Sequence, residues 1–386
     1  MKLGCVIHRY GADVTGGSEA HCRGIAERLA ERHDVTVLTS CARDYLTWRN
    51  AYPPGETSEG RVRVRRFPVA RPRDLRRFRA ISLVVFGGRA SAADQRRWFE
   101  ENGPLVPDLV RHLSDHGREF DRILFFSYRY YTSFFGLPTV ADRAILVPTA
   151  EEDPLIRAPI LAPFFSLPRG YLFNTVEEAE LIADRMSGRR PPALIVGVGV
   201  DPPGQAPDTS PLAEAGVRRP YVLYLGRIEP NKGCDTLLRY FPRHPQPSDR
   251  PVTLVMAGPA TMPIPAHARI QPLGVVSSKL REALLAHAVA LVVPSPYESL
   301  SMVLLEAWNH GVPALVNGRC RVLKGQVLRG DGGLYYADRR EFSAALGLLM
   351  DEPEVARRLG AQGRAYVDRE YRWPVVMEKV EAMLCQ

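Results

Sequence analysis

Short apolar runs alternate with stretches of helical period along most of the chain. Residues 3–8 predict a strand. A loop of small residues follows over 10–17, then a helix over 18–31 with Ala20, Ile25, Ala26, Leu29 and Ala30 on its apolar face. Residues 35–39 predict the next strand. Strand, helix and strand in that order make a βαβ unit, which implies a parallel sheet with helices on its faces. Further strands are expected at 62–67, 123–127, 144–148, 170–174 and 193–196. A helical stretch covers 92–116 with a break near Gly103-Pro104, and 181–186 falls in a helix before the last of these strands.

The periodicity fails over 201–220. There Asp201-Pro202-Pro203-Gly204 is followed by Pro207, Pro211 and Pro220, and the stretch reads as a linker. A second series then begins, with strands at 221–225, 252–257, 290–294 and 313–316. Its helices are expected at 236–241, 278–287, 301–309, 339–350, 353–369 and 373–384. The expected fold is therefore α/β, with two Rossmann-like, doubly wound halves over 1–200 and 201–372 and a terminal helix in 373–386. A length of 386 residues suits two domains. A single large α/β domain is the alternative, and the proline-rich break argues against it. Open α/β sheets bind ligands outside the carboxyl ends of their strands, so the expected site is a cleft between the halves.

Composition adds limits. The chain is 45% hydrophobic and 24% charged, as soluble globular proteins are. Its formal net charge of +8 is modest for this length, but its placement is uneven. Between 61 and 79 the arginines are 61, 63, 65, 66, 71, 73, 76, 77 and 79, against the single acid Asp74. Such a run is either a solvated surface or an attractor of phosphates, anionic lipid or acidic substrates. A nucleic-acid partner is disfavoured, because no aromatic residues are interleaved as stacking platforms. The 6 cysteines form no Cys-x-x-Cys pair and share no metal-ligand spacing with His. That usage fits a reducing cytoplasm. The first residues are too short an apolar run for a signal peptide, and no segment is long enough to span a membrane. The expectation is a cytoplasmic protein whose membrane contact, if any, is peripheral, at the inner face.

Three constellations carry candidate chemistry, each just after an expected strand. In Gly226-Arg227-Ile228-Glu229-Pro230-Asn231-Lys232-Gly233, Gly226 permits a tight exit, Arg227 offers a fork of donors to phosphate oxygens, and Lys232 adds a point charge. Alone, this loop is equally well a strand–helix connection with two solvated cations. In 294–307, the amides of Ser299, Leu300 and Ser301 open a helix and can hold a phosphate. Glu298 precedes that helix and Glu306 lies within it, about 12 Å further along if the rise is helical throughout. That separation exceeds the carboxylate pairs of glycosidases and suits two different hydroxyl groups of one extended ligand. Glu306 lies beside apolar Val303, Leu304 and Leu305, so it needs a partner. The third constellation is Gly16-Gly17-Ser18-Glu19, where paired glycines let backbone approach a ligand. His21 on the following helix reads as a packed or solvated helical histidine.

Together these residues resemble the family 4 retaining glycosyltransferases of GT-B fold. Gly16-Gly17-Ser18-Glu19 is similar to that family's Gly-Gly-x-Glu turn, Arg227 and Lys232 to its Arg and Lys pair, and Glu298 to Glu306 to its Glu-x7-Glu motif. The resemblance implies a nucleoside-diphosphate sugar as donor and no metal or other cofactor. It implies that Arg227 and Lys232 neutralise the diphosphate, that Glu298 contacts the donor sugar, and that Glu306 binds the ribose. Gly16, Gly17, Gly226, Ser299, Leu300 and Ser301 would lie along the donor, and Leu273, Gly274 and Val275 beside its base. The terminal helix commonly crosses back to the first domain in this fold. One departure stands out: relatives place a His facing the donor sugar where this chain has Glu151, which can accept a hydroxyl but donates only if protonated. The acceptor is a glycan, a lipid-linked or a small aglycone hydroxyl, set by residues 43–100. An epimerase or hydrolase acting on the same donors and a non-catalytic sugar-nucleotide or anion binder are the alternatives.

Overall fold

The computed structural model describes residues 1–204, 208–245 and 251–386. It divides into two compact units, Met1–Gly199 with Val376–Gln386, and Val200–Val375. Pro207, part of the expected linker, lies outside the described residues. Ser210–Glu214 within that stretch is a short helix, so the segment is not structureless.

The first unit is built on eight strands: β1 (Lys2–Val6), β2 (Asp34–Ser40), β3 (Gly55–Glu59), β4 (Val62–Phe67), β5 (Arg122–Phe126), β6 (Ala144–Val147), β7 (Gly170–Phe173) and β8 (Ala193–Ile195). They lie in the order β3-β4-β2-β1-β5-β6-β7-β8, parallel except for the β3–β4 hairpin. Strands buried on both faces read as continuous apolar runs, and β5 and β6 do so as Arg-Ile-Leu-Phe-Phe and Ala-Ile-Leu-Val. β3, Gly-Glu-Thr-Ser-Glu, carries no such signal because it is an edge strand open to solvent. The helix expected at 181–186 is instead Val176–Ala183, started early by Thr175, whose side chain accepts from the Glu178 amide. The segment after β4, read from sequence only as an arginine run, contains the helix Leu75–Phe86, capped by Asp74.

The last residues of the chain belong to this first unit. His33 Nε2 meets Glu381 Oε1 at 3.0 Å. A Cβ on Gly170 would stand 2.6 Å from Met383 Sδ, so the glycine lets the terminal helix seat against β7.

The second unit holds six parallel strands: β9 (Tyr221–Leu225), β10 (Thr253–Ala257), β11 (Ile270–Gly274), β12 (Ala290–Val293), β13 (Ala314–Asn317) and β14 (Gly333–Tyr336). Their order is β11-β10-β9-β12-β13-β14. The two strands that the pattern misses, β11 and β14, are the edges, and β11 carries Pro272. In both sheets the strand order reverses once, between β1 and β5 and between β9 and β12. Those reversals open the crevices where doubly wound sheets bind ligands. Among the described residues no helix is long and apolar enough to cross a membrane.

Candidate active site

The second unit gathers its candidate residues at the β9/β12 reversal. Gly226 leaves β9 with φ 142, and its amide donates to the Ala257 carbonyl at 2.9 Å. The Tyr224 hydroxyl donates to the Arg227 carbonyl at 2.6 Å, which roots Arg227 at the end of its strand. Its guanidinium reaches Glu229 at 3.3 Å. After the turn Pro230–Lys232, Gly233 takes a left-handed conformation, φ 72, and a Cβ there would stand 2.2 Å from the Pro294 carbonyl oxygen. This close approach joins the loop after β9 to the loop after β12. Lys232 Nζ then donates to Glu298 Oε1 at 2.8 Å. Asn317, at the end of β13, braces the same loop by donating to the carbonyls of Pro294 at 3.2 Å and Ser295 at 3.3 Å.

The helix begins at Met302, one residue after its expected start, and ends at Asn309 as expected. Residues 298–301 are irregular, so the expected helical rise between Glu298 and Glu306 does not apply. Ser301 holds φ 75 and ψ 88, a left-handed conformation unusual for a non-glycine residue. It is buried, with no partner for Oγ among the described residues. Strain of this kind collects at ligand clamps. Ser299, Leu300 and Ser301 thus precede the helix, with Ser301 as its cap.

Glu306 lies inside that helix, and its partner is Arg281, from the helix Ser278–His287, which donates to Oε2. Burial pushes the Glu306 carboxyl above its ordinary range, against the charge and hydrogen bond of Arg281. Gly274 turns at the end of β11 with φ 67, and its carbonyl accepts from the Gly258 amide at 2.7 Å. Leu273, Gly274 and Val275 therefore sit two strands from β9, outside the cluster of ion pairs.

In the first unit Gly16 precedes the helix Gly17–Leu29, so Gly17 lies in its first turn. A Cβ on Gly16 would stand 2.2 Å from Glu19 Oε2, so the glycine leaves room for a carboxylate folded back on it. Glu19 is buried. It accepts from His8 Nε2 at 3.0 Å and from Arg9 Nε at 2.8 Å. Burial would raise the Glu19 carboxyl, but the charge and hydrogen bond of His8 and the charge of Arg9 outweigh it and hold it at about 2. Burial also lowers His8 itself, against the pull of Glu19. The His8 ring stacks on Tyr130 at 3.7 Å, across the β1/β5 reversal.

Glu151 follows β6 and lies 3.6 Å from Arg129 Nη1, while Arg129 Nη2 meets Asp153 Oδ2 at 2.5 Å. Beneath them, buried Glu178 accepts from the amides of Ala150 at 2.5 Å and Asn174 at 2.6 Å. It staples together the ends of β6 and β7. Burial raises its carboxyl to about 8, against the pull of those amides. His21 is packed in the interior against Phe126, and burial lowers it to about 4.

Sequence patterns therefore miss Arg281, Arg129, Arg9 and Glu178. A single Arg on a helix or in a loop carries no spacing signal. Glu229 was visible between Arg227 and Lys232, but nothing in its spacing marks it as the partner of Arg227.

Residues 219–352 match the family model of Glycosyl transferases group 1, and this stretch contains Arg227, Lys232, Arg281, Glu298 and Glu306. That stretch is similar to the group 1 glycosyl transferases. It is 29% identical over 250 residues to the alpha-maltose-1-phosphate synthase of Mycolicibacterium smegmatis, a match covering 53% of this chain and 63% of that one. Across three curated relatives the chain spans between 25% and 63% of their own lengths. The likeness of fold is wider. The sucrose-phosphate synthase of Thermosynechococcus elongatus superposes with a TM-score of 0.75 at 16% identity, over 99% of this chain and 98% of that one. Anabaena Alr3699/HepE in complex with UDP-glucose superposes with a TM-score of 0.72 at 15% identity, over 100% of both chains. At such identities the likeness bears on fold alone, two Rossmann-like α/β domains of GT-B type. The charged residues at the β9/β12 reversal thus lie within the matched stretch.

Proposed function

We propose that the chain is a retaining, metal-independent glycosyltransferase. It would move a hexosyl or related sugar from a nucleoside-diphosphate sugar to an acceptor hydroxyl. The observation that carries this is the contact of Lys232 with Glu298 across the β9/β12 reversal, with Arg227 rooted beside it. Two cations at the carboxyl end of a parallel sheet suit a diphosphate, and the loop ending at Ser301 offers backbone donors to the same group. A half-buried carboxylate such as Glu306 suits a vicinal diol, the pattern of a ribose. The relative named as a synthase of a sugar phosphate and the neighbour holding UDP-glucose support this class of donor.

In the proposed transfer the acceptor oxygen attacks the anomeric carbon on the face the diphosphate leaves. The carbon–phosphate-oxygen bond breaks, and the acceptor proton passes to the departing β-phosphate. The protein contributes position and charge stabilisation rather than a nucleophile. Arg227 and Lys232 take up the charge that develops on the leaving group, and Glu151, held by Arg129, accepts a donor-sugar hydroxyl.

The test is thermal stabilisation by UDP, GDP, ADP and dTDP, for wild type and Glu306→Ala. A ligand that binds only the folded state raises the melting temperature. One nucleotide is expected to stabilise wild type, with a smaller effect in Glu306→Ala. No shift with any nucleotide at millimolar concentration would overturn the proposal. Turnover of the donor without any acceptor would replace it with an epimerase or hydrolase. The anomeric configuration of the product, read by NMR, tests retention.

A further inference from the structure

The arginine run after β4 does not survive as one surface. Arg63 pairs with Asp34 at 2.6 Å, Arg66 with Glu59 at 2.6 Å, and Arg71 with Glu101 at 3.0 Å. Arg73 donates to the carbonyls of Asn102 at 2.8 Å and Tyr45 at 2.9 Å. These side chains are spent inside the first unit. Besides exposed Arg61 and half-buried Arg65, the arginines that remain outside lie on a helical hairpin, Leu75–Phe86 and Ala92–Asn102.

The hairpin is firmly based. Ile81 and Val85 are buried, and Trp98 Nε1 donates to Ser82 Oγ at 2.9 Å. Its other face is open. Leu83 is 79% exposed, Val84 45%, Phe86 41% and Leu75 37%. On the same helix Arg76, Arg77 and Arg79 are exposed. Each of these arginines has an exposed apolar residue seven positions on: Leu83 after Arg76, Val84 after Arg77, Phe86 after Arg79. Seven residues are two turns, about 10 Å along the axis. The face is therefore basic at its N-terminal end and apolar at its C-terminal end. Beyond the apolar end, the turn carries exposed Arg89, and the returning helix carries exposed Arg97. The only acids in 74–97, Asp74 and Asp94, are both engaged as helix-capping groups, and exposed Asp74 also stands 3.7 Å from Arg77 Nε.

We infer that this hairpin docks the chain onto an anionic lipid surface, with Leu83, Val84 and Phe86 in the headgroup–acyl boundary and Arg76, Arg77, Arg79 and Arg89 on lipid phosphates. Interfacial helices bury an apolar face about 5–10 Å deep and gain from basic side chains near the surface. Arginine stems cover apolar surface while their heads reach phosphate. The inference does not rest on the proposed transfer reaction.

The experiment is co-sedimentation of the full chain with vesicles of phosphatidylcholine alone and of phosphatidylcholine with one-third phosphatidylglycerol, at low and high salt. Two variants are compared, Leu83→Ser with Val84→Ser, and Arg76→Gln with Arg79→Gln and Arg89→Gln. All these side chains are exposed, and unchanged melting temperatures would show both variants folded. Wild type is expected to bind the anionic vesicles at least ten-fold more tightly than the neutral ones, less so at high salt. Each variant is expected to lose at least ten-fold on the anionic vesicles. Equal binding of wild type and variants, or no preference for anionic vesicles, would overturn the inference. So would a concentration-dependent dimer that only the Leu83 and Val84 changes dissolve, since a second copy would then cover the patch. Nucleotide stabilisation measured on the same samples separates the two proposals, because its failure leaves the vesicle result standing.

Discussion

Gly233 joins the two loops of the second unit's site, and its replacement by alanine tests whether that junction matters. Gly233 has φ 72, and a Cβ would fall 2.2 Å from the Pro294 carbonyl oxygen and 2.8 Å from its carbonyl carbon. Gly311 is a matched control, with φ 71 and nothing within 4 Å of its Cβ position. An L-residue held in this conformation costs about 1–2 kcal/mol, partly offset by a stiffer unfolded chain. Gly311→Ala should show that term alone. Gly233→Ala adds overpacking against backbone that cannot rotate away, about 1–3 kcal/mol more. The total for Gly233→Ala is then about 2–4 kcal/mol, against about 1 kcal/mol for the control. The backbone must also yield, and the displacement moves Lys232 away from Glu298. Denaturant unfolding gives the stabilities, and calorimetry gives nucleoside-diphosphate affinity. Gly233→Ala is expected to weaken that affinity at least ten-fold and Gly311→Ala to leave it unchanged. Equal stability and equal affinity in the two variants would refute the close-approach argument.

Arg227→Ala with Lys232→Ala should lower kcat by about 100-fold or more with the fold retained, since charge stabilisation of a leaving group is worth that much; wild-type turnover would remove both from the mechanism. Arg281 opposes the upward push of burial on Glu306, so Arg281→Gln should raise that carboxyl further. The pH below which a nucleotide stops stabilising the chain would then move upward, and an unmoved limb would contradict the pairing. Glu178 is raised to about 8 in the folded state, and an unfolded Glu titrates at about 4.3. The folded state keeps a proton that the unfolded state has lost, so this group's stabilisation is full below about 4.3 and falls as pH rises through 8, by up to about 1.4 kcal/mol per pH unit. Melting temperature between pH 5.5 and 8.5 should therefore fall more steeply for wild type than for Glu178→Gln, and parallel curves would count against the buried, raised carboxyl.

The interior of both sheets was legible because strands covered on both faces must be apolar throughout. β4, β9 and the helix Ser278–His287 fall on the residues that the pattern predicts. The edges were not legible, for the converse reason. β3 packs nothing on its outer side, β11 carries Pro272, and the helix Arg321–Gly330 is broken in pattern by Gly325. In the site, residues marked by a motif were visible and their partners were not. Lys232, Glu298 and Glu306 stand in recognisable spacing, whereas Arg281 meets Glu306 only because helices after β11 and β12 pack side by side. The arginine run shows the same limit on the surface. Nine arginines look alike in sequence, and only folding separates those tied to Asp34, Glu59 and Glu101 from those on the open hairpin.

Each cation at the β9/β12 reversal and beside Glu306 stands with a carboxylate: Arg227 with Glu229, Lys232 with Glu298, Arg281 with Glu306. Half-buried charges without a partner are expensive, so this pairing keeps the site folded before a donor arrives. It also means that a diphosphate enters by exchange, taking a cation that an acid already holds. Among the three acids Glu229 is the one to which the proposed mechanism gives no contact with the donor. Its side chain is 12% exposed and that of Arg227 is 42% exposed, so Arg227 can swing while Glu229 stays. A pair that open is worth about 0.2–1 kcal/mol, at most roughly a factor of five in affinity. Glu229→Gln keeps the shape and removes the competing charge, so calorimetry should show a nucleoside diphosphate binding a few-fold more tightly than to wild type. Weaker binding would mean that Glu229 aims Arg227 at the phosphate rather than competing for it.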